Sequence, residues 1–583
     1  MIYSIGDAII SPLAWTSSDN LDAVLRGESR LQYYENLFGL PEPCFVSLVD
    51  PQEVDDRFAQ LPTRTEERYT KVEKMAILAA AQALEQAHLD AAREDVLFVI
   101  STTKGNVDLL AGNPYEPQRV YLWRTAQLIA DYFGNPNTPM VVSNACISGC
   151  AAQLAAINQL RFGTYNYAVV VGAETLSKFV ISGFQSFKAL SKERCKPFDA
   201  NRVGLNLGEA AAAMVYTIGE DDATLPDGTL LFQNGAISND SNHISGPSRT
   251  AEGLLRAINK SINNFDTSRI AFLNAHGTAT VYNDDMESIG VNRAGLQHIP
   301  VNSLKGYFGH TLGAAGVLET ILSAHALRNR CVLRCNGTDT PGTVNNVNVP
   351  LQTAAVQGDS FMKLISGFGG SNAAMLFTLQ QAEAAVTPSE RITIHHAHTT
   401  LSSCHITNDQ VLVNDRVILE RTADDDNWLA SIYRNIGMQY PKFFKMDRLC
   451  KIGTLAAELL LKDIDFDREE VKADWAIVLM NSASSLDDDR QYQTTIADAD
   501  NYYPSPAVFV YTLANIVTGE IAIRHKIGGE SSFYVFQSYN EEQLDDLIGQ
   551  TFQANPELTH ILCGWVDYDQ YGGEVRMKLA LKH

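Results

Sequence analysis

Short continuous apolar runs in this chain alternate with longer segments whose apolar residues recur every three or four positions. Residues 2–11 are the first such run and end at Ser11-Pro12, which predicts a strand and a turn. Residues 21–26 predict a short helix, and the proline-containing residues 40–65 an irregular stretch. Between 68 and 89, Met75, Leu78, Ala81 and Leu84 share one face of a long helix. Residues 96–100 and 167–174 are apolar runs of strand length, with a helix predicted at 123–132 between them. Strands separated by helices in this way predict an α/β architecture with a largely parallel sheet.

The pattern changes from strand to helix within Val141-Val142-Ser143-Asn144-Ala145-Cys146-Ile147-Ser148-Gly149-Cys150, and Cys146 sits at the joint. A side chain on a strand-to-helix turn points away from the backbone. The free N–H groups of a helix start favour the thiolate. Taken alone, a cysteine in such a place is more often a buried structural residue.

Four later blocks share the same punctuation. Cys195-Lys196-Pro197-Phe198-Asp199 leads through a glycine-bearing loop to Leu207-Gly208-Glu209 and an apolar strand. Asn274-Ala275-His276-Gly277-Thr278 puts a histidine at a strand end. Lys305 stands five residues before His310, in a loop that opens a small-residue helix carrying Glu319. In Ser366-Gly367-Phe368-Gly369-Gly370-Ser371-Asn372, glycines let backbone N–H groups approach a ligand. Each histidine alone reads as readily as a structural residue. Together, a cysteine at a helix start, two histidines, a lysine and an N–H-lined loop are what acyl transfer to a thiol and carbanion chemistry require.

With 583 residues the chain exceeds one core, so two or more domains are expected. A formal net charge of −23 argues against nucleic acid or an anionic membrane as a general partner. Nine cysteines without a C-x-x-C pair argue against a disulfide framework or a zinc site. The first residues lack the features of a signal peptide, and no apolar run approaches a membrane span, so a cytoplasmic location is expected.

The ordered motifs identify the resemblance: residues 1–380 resemble a β-ketoacyl synthase of the elongating, carrier-protein-dependent kind. That resemblance implies a thiolase-like fold of five layers, αβαβα. It implies that Cys146 takes the acyl chain as a thioester, and that His276 and His310 promote malonyl decarboxylation and stabilise the enolate. Lys305 would orient His310, with Glu319 in its network. The N–H groups of Cys146 and Phe368 would form the oxyanion hole, with Phe368 and Gly369 in the gate. Thr278 and Thr280 would touch the pantetheine arm. Ser366 stands where the family often has an aromatic residue, which implies a wider gate or another chain shape. Arg64, Arg68, Lys71 and Arg202 align with positions that dock an acyl carrier protein. The implied cofactor is only the carrier's 4′-phosphopantetheine; no metal or redox cofactor is implied.

A polar, alanine-rich linker is predicted at 381–389, followed by a second domain, 390–583, that repeats the first. Trp475-Ala476-Ile477-Val478-Leu479-Met480 echoes the strand at 96, and Phe533-Tyr534-Val535-Phe536 falls where the strand before the nucleophile would be, yet no cysteine follows. The second domain therefore resembles a truncated, half-thiolase-like chain-length factor, of the sort that accompanies ketosynthases of aryl polyene and flexirubin-type pathways. Its apolar strand would pair beside residues 139–143, giving a pseudo-dimer within one chain or a higher homo-oligomer of it. Phe533, Tyr534 and Phe536 would floor the acyl tunnel. The expected activity is condensation of malonyl and acyl thioesters into a polyketide or polyene. The alternatives are a fatty-acid 3-oxoacyl-carrier-protein synthase and a non-catalytic acyl-binding scaffold.

Overall fold

The computed structural model describes residues 1–219, 225–380 and 398–583. The predicted linker 381–389, with the start of the second domain, lies outside the described residues.

Ten strands form the symmetric part of one sheet, which strands Gln410–Val413 and Arg416–Glu420 extend beyond His398–Ile406. From one end this part runs His398–Ile406, Gly572–Lys582, His560–Asp569, Trp475–Asn481 and Ser531–Val535. The order then reverses through Met140–Val142, Val96–Ser101, Tyr167–Glu174, Ala210–Ile218 and Ile2–Ile10. The halves meet where Ser531–Val535 pairs antiparallel with Met140–Val142, in the register Tyr534↔Val142 and Val535↔Val141. Each half has a parallel centre and an antiparallel outer pair, so the C-terminal residues repeat these five strands of the N-terminal unit.

The N-terminal unit adds a second sheet, ordered Leu230–Asn239, Ser371–Leu379, Ser360–Gly367, Ile270–Asn274 and Val301–Asn302. Helices Ser148–Arg161 and Ala315–Arg328 are buried in one core with residues of both sheets. Lys71–Gln86 covers the outside of the first sheet, and Glu252–Ser261 with Val281–Arg293 the outside of the second. This is the five-layered thiolase-like arrangement. Both central helices bury nearly every residue, which explains their small, all-round apolar sequences. Gly149 and Gly316 let them touch: a Cβ on Gly149 would lie 2.9 Å from the Gly316 backbone.

Three expectations need correction. Residues 40–65 are ordered as strand Cys44–Ser47 and helix Pro51–Phe58, the latter capped by Asp50, whose side chain accepts from the N–H of Gln52. Short length and few apolar positions hid them. The helix expected from 68 starts at Lys71, because Thr70 and Glu73 close a capping box there. The truncated second domain is also longer than the two strands read from its sequence: His560–Asp569 and Gly572–Lys582 pair as Tyr167–Glu174 and Ala210–Ile218 do.

Side-chain contacts tie the halves together. Lys104, buried, places Nζ 2.8 Å from Asp489 Oδ1 and also bonds the carbonyl of Thr512. Asn144 Nδ2 donates to the Ser531 carbonyl at 3.0 Å, two residues from Cys146. Strand pleating divides the aromatics of Ser531–Val535. Phe533 packs in the outer core that the two units share, whereas Tyr534 and Phe536 enter the core that holds helix Ser148–Arg161. Phe533 is therefore removed from the expected tunnel floor. No single helix among the described residues is long and apolar enough to cross a membrane.

Candidate active site

Cys146 lies in a short 3-10 turn, Ala145–Ile147, between strand Met140–Val142 and helix Ser148–Arg161. Ala145 holds φ at +48°, a left-handed conformation that costs an alanine about 1 kcal/mol. Ser148 fixes the turn: its hydroxyl accepts from the Asn144 N–H at 2.8 Å and donates to the Ala145 carbonyl at 2.5 Å. The loop at Phe368 closes over this turn, and Gly367 lets it come close, since a Cβ would lie a tight 3.2 Å from the Cys146 nitrogen. The backbone N–H groups of Cys146 and Phe368 lie near enough to Sγ to favour its anion.

His276 follows the end of strand Ile270–Asn274 in the second sheet, and His310 follows the short helix Lys305–Phe308 that comes after strand Val301–Asn302. Their rings stand 5.0 Å apart at 83°, and Cys146 Sγ and a ring nitrogen of each lie within 4.8 Å of one another. Glu287 anchors the first histidine loop by accepting the N–H groups of His276 and Gly277, both at 2.7 Å. His310 Nδ1 accepts the Leu312 N–H at 3.2 Å, which leaves Nε2 as the protonated nitrogen of a neutral ring. His276 Nδ1 and His310 Nε2 are buried without a hydrogen-bond partner, free to meet a substrate.

Burial first, then the charge of Lys305, holds both imidazoles well below their ordinary range, so they are neutral. Burial also pushes the Cys146 thiol up to about 11, outweighing Lys305 and the two N–H groups. The helix start favours the thiolate as expected, but burial outweighs it: at neutral pH the resting group is a thiol, and it loses its proton as it attacks. Neutral donors beside a thiol suit a reaction in which negative charge appears on a thioester oxygen and is then dispersed.

Lys305 does not touch the His310 ring. Its Nζ lies 2.7 Å from Glu319 Oε1, while its carbonyl accepts the Gly309 N–H at 2.8 Å and so shapes the turn before His310. Sequence reasoning missed Lys363, whose Nζ is 2.5 Å from Glu319 Oε2 and 2.8 Å from Asn274 Oδ1. The signal was there: a lysine inside Phe361-Met362-Lys363-Leu364-Ile365, an otherwise apolar strand.

A cavity of about 420 Å³ leads to the trio, with Thr278, Thr280, Ser366, Phe368 and Met286 in its wall. Thr278 and Thr280 hydroxyls are 2.9 Å apart, and Ser366 donates to Asn372 Oδ1 at 2.7 Å. Val203, Val281 and Tyr282 line the cavity and are exposed, an apolar rim. The gate loop is held by the C-terminal unit. Asn515 Nδ2 donates to the Phe368 carbonyl at 2.8 Å, and Gly519 abuts Gly369, whose φ is +86°. Phe368 packs edge-on against Phe187, which in turn meets Phe509. Sequence could not reveal Asn515 or Phe509, which lie more than 130 residues from the loop they hold.

The expected docking residues separate into two pairs. Arg64 and Arg68 are exposed, stacked over Tyr132 and Tyr115. Lys71 and Arg202 are corrected, because their charges are used internally. Lys71 Nζ is 2.5 Å from Glu209, and buried Arg202 binds Asp285 at 2.7 Å and the carbonyls of Asp199 and Gly342.

With this geometry in place, comparison with known proteins is direct. Residues 5–220 match the N-terminal domain of β-ketoacyl synthases, and residues 231–338 match their C-terminal domain. The chain belongs to the β-ketoacyl synthase family. A 3-oxoacyl-[acyl-carrier-protein] synthase 2 of Vibrio harveyi is 26% identical over 408 residues, 64% of this chain and 97% of that protein. A solved ketosynthase, ApeO, in complex with its chain length factor ApeC from Xenorhabdus doucetiae, has a TM-score of 0.57 at 23% identity, covering 65% of this chain and 98% of that one. The PfaC keto synthase-chain length factor aligns with 100% of this chain and 78% of its own, with a TM-score of 0.75 at 15% identity, a likeness of fold. The enzyme is a β-ketoacyl synthase, of the family that performs condensation in polyketide or fatty-acid synthesis.

Proposed function

We propose that this enzyme elongates a polyketide or polyene chain, of aryl polyene or flexirubin type, on an acyl carrier protein in the cytoplasm, with its C-terminal unit acting as a built-in chain-length factor. Cys146 Sγ attacks the incoming acyl thioester, the carrier thiol leaves with the proton, and the acyl group stays on sulfur. Malonyl thioester then loses CO2. Its electron pair becomes an enolate whose oxygen faces His276 and His310. The enolate carbon attacks the Cys146 thioester, the tetrahedral oxyanion rests on the Cys146 and Phe368 N–H groups, and collapse frees the sulfur and the β-ketoacyl carrier.

The observation that carries the reading is the strand pairing Tyr534↔Val142 beside the nucleophile turn, which puts the C-terminal unit against the helix that starts at Cys146. Tyr534 lines a small cavity with Ala151, Leu154 and Ala155 of that helix, a natural floor for an acyl chain. Fatty-acid synthesis is the second reading, favoured by the Vibrio harveyi relative. Incubating the enzyme with malonyl-carrier and either saturated or polyenoyl starters, and measuring acyl species on Cys146 and released products by mass spectrometry, separates them. Acylation confined to saturated chains would overturn the polyene reading.

The carrier is proposed to approach the exposed Arg64 and Arg68. In a chain of net charge −23 such a basic spot governs encounter with an acidic partner. Charge reversal at both should raise KM for carrier-bound substrate about tenfold and flatten its salt dependence, while small thioesters react as before. Equal loss with both substrates would reject this docking face.

Asn515→Ala should free the Phe368 carbonyl and loosen the gate. The expected result is acylation by a broader range of chain shapes, with less than about 2 kcal/mol of stability lost. Unaltered substrate range in competition assays would count against a gate held from the C-terminal unit.

A further inference from the structure

Glu319 is shared. Lys305 holds Oε1 at 2.7 Å and Lys363 holds Oε2 at 2.5 Å, and all three side chains are buried. Lys363 also donates to Asn274 Oδ1 at 2.8 Å and to the Leu364 carbonyl at 3.0 Å. Three acceptors take up the three N–H donors of an ammonium, so the group is built to be charged. Asn274 is fixed in turn, donating to Asn302 Oδ1 at 2.9 Å. Asn274 and Lys363 are register partners on neighbouring parallel strands, and His276 is two residues beyond Asn274. A buried lysine is expensive to keep in an apolar strand without a purpose. One lysine on Glu319 would give a neutral pair. Two leave the cluster with one positive charge more than its negative charge.

We propose that Lys363 is a positioning residue for the decarboxylation step: by sharing Glu319 with Lys305, it leaves one uncompensated positive charge buried beneath the two histidines. This rests on the assignment of His276 and His310 to decarboxylation. The charge acts in two ways. It disfavours a proton on either ring, keeping both as neutral donors, and it stabilises the enolate that forms against them. The rings feel both ammonium groups, after burial itself. Burial raises Glu319, but the two lysines outweigh it and hold the carboxylate below its ordinary range. Other groups face the pair from every side. Burial pushes Glu174 behind the nucleophile turn and Glu287 under the first histidine loop up to about 7, and Asp284 to about 6. Asp284 has Arg202 at 3.8 Å, and Asp240 on the cavity wall is also raised by burial. Cys146 is a thiol. Glu319 is therefore the anion held throughout this range, and the number of lysines on it sets the net charge of its own cluster.

The test is the pH dependence of malonyl decarboxylation by the full-length enzyme, beside Cys146 acylation measured by mass spectrometry. Lys363→Met should still be acylated. Its decarboxylation should fall about tenfold on the acid limb and less at pH 8, because that limb moves up by about one pH unit as the rings accept protons more readily. Glu319→Gln in the same background removes one negative charge and returns the cluster to a net charge of +1, so the acid limb should move back down in Lys363→Met/Glu319→Gln. A purely structural role predicts the opposite, since the double variant loses more contacts. Loss that is equal at all pH values, or a double variant whose acid limb stays with the single one, overturns the proposal. If His276→Ala and His310→Ala retain full decarboxylation, the role assigned to the histidines fails instead, which is a separate result. Should Lys363→Met not fold, Lys363→Gln with circular dichroism as a check serves the same comparison, with the same two outcomes.

Discussion

Cys146→Ala should abolish condensation outright, by at least about 10⁴-fold, and no acyl group should be found on the protein. The reason lies in the geometry around the sulfur. Two backbone N–H groups and two histidines converge on one point, and the other cysteine nearby, Cys150, is fully buried on the helix and pushed up to about 12 by burial. It cannot take over. His276→Ala and His310→Ala should behave differently. Acylation of Cys146 should survive, while malonyl decarboxylation falls about 10³-fold in each. The split is the informative part, because a structural loss would depress both steps together. Intact-protein mass spectrometry after acyl-carrier loading, with CO2 release from malonyl-carrier, reads the two steps separately. Condensation by purified Cys146→Ala would falsify the nucleophile.

What was legible in the sequence follows from how local each feature is. The nucleophile turn is written within ten residues: an apolar strand, a polar joint and an alanine-rich helix, and the structure places strand Met140–Val142 and helix Ser148–Arg161 on either side of Cys146. The histidines were legible because each stands beside glycine in a short motif, His276 just past a strand end and His310 just past the helix Lys305–Phe308. Strand Cys44–Ser47 was not, since four residues beside prolines carry no period. Charges were the least legible. Arg202 and Lys71 look like surface cations in a list, yet their partners, Asp285 and Glu209, come from 83 and 138 residues away. Lys363 was visible as an anomaly, but its meaning required Glu319 and Asn274, which only folding brings to it. The thiol's protonation was only half legible for a related reason. A helix start is local and readable, whereas the burial that outweighs it is a property of the closed fold.

Removing residues 390–583 should yield an aggregating protein or a self-paired dimer, because the cut exposes what the N-terminal unit cannot solvate. Strand Met140–Val142 would lose Ser531–Val535 and become an open, apolar sheet edge next to the catalytic turn. Lys104 would lose Asp489 and the Thr512 carbonyl, Asn144 would lose the Ser531 carbonyl, and the gate would lose Asn515. A milder change isolates chain length from folding. Tyr534 and Phe536 face the core that contains helix Ser148–Arg161, and Tyr534 lines the small cavity beside Ala151 and Leu154, so Tyr534→Leu should deepen that cavity. It should cost about 1–3 kcal/mol, within what a domain of ordinary stability survives. The expected product is longer by at least one condensation cycle, with Cys146 acylated at its former rate. Phe533→Leu is the internal control, because pleating turns Phe533 to the opposite face, and it should lose stability without lengthening the product. Product lengths that respond equally to both substitutions, or to neither, would reject Tyr534 as the floor. A truncation that stays soluble, monomeric and unaltered in product would remove the C-terminal unit from chain-length control altogether.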